Sequence, residues 1–161
     1  MDKIDLRKIN IKREDLTEVQ VAFADELNES IDYIERLLRE SLKSVSPYDI
    51  SISLSKMSGY FSRIGSVLAD LEYEHTKIVD EGDTKFNNEY EKQTLADISA
   101  TAAKQIAESS LDDLFKKRKR IAKWLYSKAK YIYAGTEKMI HSVNRHHDNL
   151  KAELPMGKFQ T

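Results

Sequence analysis

The chain of 161 residues has no cysteine, two prolines and five glycines. Without cysteine it can form no disulfide and do no thiolate chemistry, which fits a cytoplasmic protein. So little proline and glycine leaves few turns and argues for an all-helical fold. No apolar run approaches the length of a membrane span, and the start Met1-Asp2-Lys3-Ile4-Asp5 is too charged for a signal peptide. The expectation is therefore a soluble, intracellular protein with no membrane partner, in which the sequon Asn28-Glu29-Ser30 is a chance match. Neither sign of charge dominates, the formal net charge being -1. Its distribution is uneven: between Asp70 and Asp97 acids outnumber bases about three to one, while from Lys116 to Lys151 the excess is basic.

What is present is helical periodicity in a chain long enough for one packed domain, 40% of it hydrophobic. Residues 1–14 are read as an N-terminal arm that docks on a neighbour. From Asp15, Leu16, Val19, Phe23, Leu27, Ile31, Ile34, Leu38, Leu42 and Val45 step by three or four, which predicts a first helix over about 15–45. Asp15 or Thr17 caps it, and Ser46-Pro47 ends it. Ser46 as N-cap, Pro47 at the first position and Asp49 in the first turn then open a second helix over 47–80. Its seam is Ile50, Leu54, Met57, Phe61, Ile64, Leu68, Leu71, His75 and Ile78, and the glycine in Asp80-Glu81-Gly82-Asp83-Thr84 reads as the loop that stops it. A third run covers 85–108 and a fourth 110–153, with Ser110 and Asp113 resembling a capping box at the junction. If that junction did not break, one helix of about 95 Å would result and would favour an oligomer. Residues 154–161 are a C-terminal tail. The fold class is thus all-α, with long amphipathic helices forming an antiparallel bundle or a coiled-coil-like homo-oligomer.

The fourth helix carries two stripes. Leu111, Leu114, Ile121, Leu125, Ile132, Met139, Val143 and Leu150 fall on one face at 100° per residue. Opposite them, Lys116, Arg120, Lys123, Lys130, Lys138 and Arg145 form a basic row roughly 45 Å long, thickened by Lys119. Trp124 and Tyr131 lie along one margin, Tyr126 and Tyr133 along the other. A cationic row spanning several phosphates gains affinity by counterion release, and aromatic rings stack on unpaired bases. The candidate nucleic-acid-binding set is Lys116, Lys119, Arg120, Lys123, Trp124, Lys130, Tyr131, Lys138 and Arg145. Three other readings stay open: a solvated face, a face paired with the acidic segment, or a membrane-surface helix, which the regularity of the seam weakens. The aromatics have a structural reading too, as rings straddling core and solvent.

Other motifs carry less. His141, His146 and His147 with Asp148 point to different sides and lack metal-site spacing, so they read as polar or rim histidines, with no metal and no cofactor expected. Ser53-Leu54-Ser55-Lys56 matches Ser-x-x-Lys without its companion motifs. Asp112 and Asp113 suit a helix N-terminus. Nothing assembles an active site, and no enzyme is expected.

Over roughly residues 60–150 the chain resembles the small helical recombination mediator proteins of tailed bacteriophages, accessory proteins that bind single-stranded DNA and load a RecA-like recombinase. The likeness rests on Tyr90-Glu91-Lys92 after an acidic, glycine-containing loop, a long alanine- and serine-rich helix, the segment from Trp124 to Tyr133, and Met139-Ile140-His141-Ser142-Val143-Asn144-Arg145. It implies a non-enzymatic, ring-forming oligomer whose partners are single-stranded DNA, a single-strand binding protein and a recombinase. Where the family has basic residues beside an aromatic pair, this chain has the acidic Asp70-Leu71-Glu72-Tyr73-Glu74, which moves the expected DNA surface to Lys116 to Lys130. The alternative is a phage structural or protein-interaction module, a coiled-coil adaptor or an inhibitor of a host defence protein, without DNA binding.

Overall fold

The computed structural model describes residues 16–153, so the expected arm 1–14 and tail 154–161 lie outside the described residues. Among the described residues 91% are helical and no strand occurs. The elements are α1 (Glu18–Ser41), α2 (Pro47–Leu95), α3 (Ala100–Ser110) and α4 (Asp113–Glu153). The chain divides into two compact units: unit 1 is Met1–Leu68 with Lys128–Thr161, and unit 2 is Ala69–Ser127.

The helix starts follow local chemistry. Thr17 caps α1 in a reciprocal box: its Oγ1 accepts from Gln20 N, and Gln20 Oε1 accepts from Thr17 N, each at 3.2 Å. Ser46 Oγ accepts from Asp49 N at 3.3 Å ahead of Pro47, opening α2 as expected. The expected stop at Gly82 does not occur; α2 continues to Leu95. A Cβ at Gly82 would stand 2.7 Å from Phe115 Cζ, so this glycine seats a ring instead of breaking a helix. The stop comes instead at Asp97, whose φ of 63° is left-handed, with Ile98 N donating to Gln93 O at 3.4 Å. The expected third run 85–108 is therefore divided between α2 and α3. Its junction with α4 also moves. Ser110 Oγ donates back to Ala107 O, and Asp112 Oδ1 accepts from Phe115 N at 2.6 Å, so Asp112 opens α4 where Ser110 was expected to.

In unit 1, α1 and the start of α2 run antiparallel: Arg63 Nε pairs with Glu26 at 3.3 Å, and Tyr33 stacks on Tyr60 with centroids 4.2 Å apart. The α4 segment meets α2 through Phe61 and Tyr133, stacked at 4.4 Å. Leu27, Ile34, Ile50, Met57, Ile64 and Val143 fill the core. The buried face of α1 differs from the expected stripe, because Gln20, Ser30 and Ser41 are buried while Val19, Leu42 and Val45 are exposed. Leu42 and Val45 lie beyond the last helical residue, where the turn into α2 carries them off the stripe.

In unit 2, Ile78 packs with Phe115 and Ala122, and Leu111 lies against them. Here the expected α4 seam is out of phase, since Leu114 is 76% exposed and its neighbour Phe115 is buried. Along α4 the expected Ile121, Leu125 and Val143 are buried, and the small Ala122, Ala129 and Thr136 are buried beside them. A short side chain on the buried face lets helix axes approach, so the buried face is wider than the expected seam and differs from it at Leu114.

Candidate nucleic-acid interface

The cap at Asp112 and the acid at Asp113 hold a helix start that is followed at once by Lys116, Lys117, Arg118, Lys119 and Arg120. Cations near a helix N-terminus oppose the macrodipole, so helix stability does not explain this run. Asp113 offsets it slightly through Lys116, 3.9 Å away in an exposed pair.

Within unit 2, Lys116, Arg120 and Lys123 are exposed, while Lys119 and Trp124 are half-buried. Ile121 and Leu125, on the other side of the helix, are buried. The acidic segment does reach α4, but through other residues. Arg118 pairs with Glu81 at 3.1 Å, and Tyr126 Oη donates to Glu72 Oε1 at 2.8 Å. Tyr126 also stacks on His75, with centroids 5.7 Å apart. The hydrogen bond to Glu72, then desolvation, then the carboxylate's charge push the Tyr126 phenol above its ordinary value. Arg120 and Lys123 make no ion pair among the described residues. A shallow groove of about 530 Å³ on α2, lined by Tyr73, Lys77, Glu81 and neighbouring residues, belongs to this unit and contains none of the predicted residues.

Within unit 1, Lys130, Lys138 and Arg145 are exposed and Tyr131 is 77% exposed. Lys138 and Arg145 have no acidic partner among the described residues. The other aromatic margin is used for packing, because Tyr133 stacks on Phe61 and approaches Gly65. Of the four aromatics, Tyr131 is exposed, and Trp124, Tyr126 and Tyr133 are half-buried. His141 is exposed three residues after Lys138 and four before Arg145, a place on the basic row that its spacing already gave.

Of the other two histidines, His146 keeps a half-buried rim position and His147 does not. His147 is buried, with Nε2 2.9 Å from Ser51 Oγ, and His146 Nε2 donates to Ser44 O at 3.0 Å. Ser51 Oγ also donates to Pro47 O, and on the other side of the ring His147 Nδ1 lies 3.7 Å from Asp148 Oδ1. Together the two histidines hold α4 to Ser44 in the turn between α1 and α2 and to Ser51 near the start of α2. Among the described residues no group of three or more His, Cys, Asp or Glu stands where it could hold a metal ion. No described helix is long and apolar enough to cross a membrane. No family model matches the chain, and no curated protein or solved structure matches it.

Proposed function

We propose that the chain binds single-stranded nucleic acid through the outward face of α4. On this reading it acts without catalysis as an oligomeric recombination mediator that assists recombinase loading, as its resemblance to the phage proteins implies. The observation that supports binding is the state of the cations opposite the core. Arg120, Lys123, Lys138 and Arg145 are exposed and without acidic partners among the described residues, and Tyr131 stands bare on the same helix. Such cations need not break an internal pair to meet phosphate, and a bare ring can stack on an unpaired base. The test is titration of a labelled oligonucleotide across a salt series, beside the variant with Arg120, Lys123, Lys138 and Arg145 all changed to Glu. Binding that falls with salt and is lost in the variant is expected. Absence of binding at low salt overturns the proposal.

The exposed Leu95 and Leu114 in unit 2 favour a second reading, a protein-interaction module of a phage. Under that reading an oligonucleotide has no effect on assembly at any salt concentration.

A further inference from the structure

Unit 1 leaves one face of α2 uncovered. Ile50, Met57 and Ile64 point into the core, and on the side turned away from them Tyr48, Ile52, Ser55, Gly59, Ser62 and Ser66 are all exposed. These six follow one another at steps of four and three without a break, the spacing of a second coiled-coil seam. None is charged, although 33% of the chain is Asp, Glu, Lys or Arg. A face meant for water would carry its share of those charges. Instead, Tyr48 and Ile52 are 74% and 39% exposed at one end of the seam, and small residues occupy the other.

We propose that this face pairs with the same face of a second copy of the chain, antiparallel about a two-fold axis passing between Ser55 and Gly59. In that register Tyr48 lies over the partner subunit's Ser66 and Ile52 over the partner subunit's Ser62. Ser55 meets the partner subunit's Gly59. Large side chains thus face small ones at both ends, and the backbones approach in the middle, which gives the self-complementarity an isologous contact requires. Two of the three serine hydroxyls are ready for burial. Ser62 and Ser66 donate to their own helix, at Ser58 O and Ser62 O, at 3.0 and 3.3 Å, so covering them strands no donor. A Cβ at Gly59 would meet nothing within 4 Å, so this residue is not required to be glycine by its own chain.

Charge complements shape. Asp49 and Arg63, both exposed, flank the seam on one side, and Arg63 holds Glu26 through Nε, which leaves its terminal nitrogens for a second carboxylate. Antiparallel pairing brings Asp49 to the partner subunit's Arg63, once at each end. Lys56 stands beside its own copy at the axis, one like-charge approach against two opposite-charge ones. The contact is two-fold and closes on itself, unlike the head-to-tail contacts of a ring. It does not rest on the nucleic-acid reading, because the basic row of α4 takes no part in it.

The test is the mass of the full chain in solution over a range of concentrations, by light scattering and sedimentation. A dimer that dissociates on dilution is expected. Gly59→Leu, which meets nothing in its own chain, is expected to raise the dimer dissociation constant roughly tenfold or more with helicity unchanged. Lys56→Cys places the only thiol of the protein beside its own copy and is expected to give a disulfide-linked dimer on mild oxidation. Ser142→Cys, exposed on α4, is expected not to. A chain that stays monomeric, assembly indifferent to Gly59→Leu, or cross-linking through Ser142→Cys as readily as through Lys56→Cys overturns the proposal.

Discussion

At Gly82 a single methyl group has no room. Its Cβ would stand 2.7 and 2.8 Å from two atoms of the Phe115 ring, which is itself held among Ile78, Ala122 and Leu111 and cannot easily move. Alanine would improve helix propensity by about 1 kcal/mol, but overpacking costs roughly 1–3 kcal/mol. Gly82→Ala is therefore expected to lower stability by about 1 kcal/mol, whereas Gly135→Ala, where a Cβ meets nothing within 4 Å, should raise it by up to about 1 kcal/mol. Urea midpoints at unchanged slope read both. Tyr126 gives a residue-level prediction in pH. Its phenol is held above the usual 10.0 by the bond to Glu72, so that contribution is complete below the unfolded value and is lost as pH rises through the folded one. In an alkaline titration followed by tyrosinate absorbance, Glu72→Gln should bring the Tyr126 transition back toward 10, and a transition that does not move would contradict the assigned cause.

At the scale of the element, the start of α4 depends on one side chain. Asp112 Oδ1 takes the Phe115 amide, and the cations that follow make this helix end electrostatically poor. Asp112→Ala should cost about 1 kcal/mol and speed amide exchange over the first turn of α4, with α1 unaffected. Caps of this kind were legible in sequence wherever the whole signal was local, as at Thr17 and at Ser46-Pro47. The α2 seam was legible too, because Ile50, Met57, Ile64, Leu71 and Ile78 combine bulk with heptad spacing. Gly82 misled because the reason for it, Phe115, is 33 residues away in sequence. The α4 seam was legible at Ile121, Leu125 and Val143 and misled at Leu114, and the burial of the small Ala122, Ala129 and Thr136 was not marked by hydrophobic bulk. His147 was misassigned for a similar reason, its partner Ser51 being 96 residues distant. For the candidate site, exposure of Arg120, Lys123, Lys138 and Arg145 followed from their position opposite the apolar residues. The diversion of Tyr126 and Tyr133 into packing did not, since only the placement of α2 beside α4 in each unit decides it.

For the molecule as a whole, 27 acids against 26 bases leave no net field to draw in a polyanion from a distance. Any affinity for nucleic acid must then come from local phosphate contacts on α4, and the salt dependence should count them. With about five phosphates contacted, the logarithm of the single-strand binding constant should fall with the logarithm of salt at a slope near -3.5. Arg118 should contribute little to that slope, because it already serves Glu81. Stacking separates strand types: Tyr131→Ala should weaken a single strand by about 1–3 kcal/mol without changing the salt slope, since the ring releases no counterion. Duplex DNA of the same length offers phosphate but no unpaired base, so its affinity should be indifferent to Tyr131→Ala and should respond to charge reversal at Arg120 and Lys123. A variant that weakened both strand types equally would make Tyr131 a residue that merely shapes α4, and the preference for single strands would then have no support from this helix.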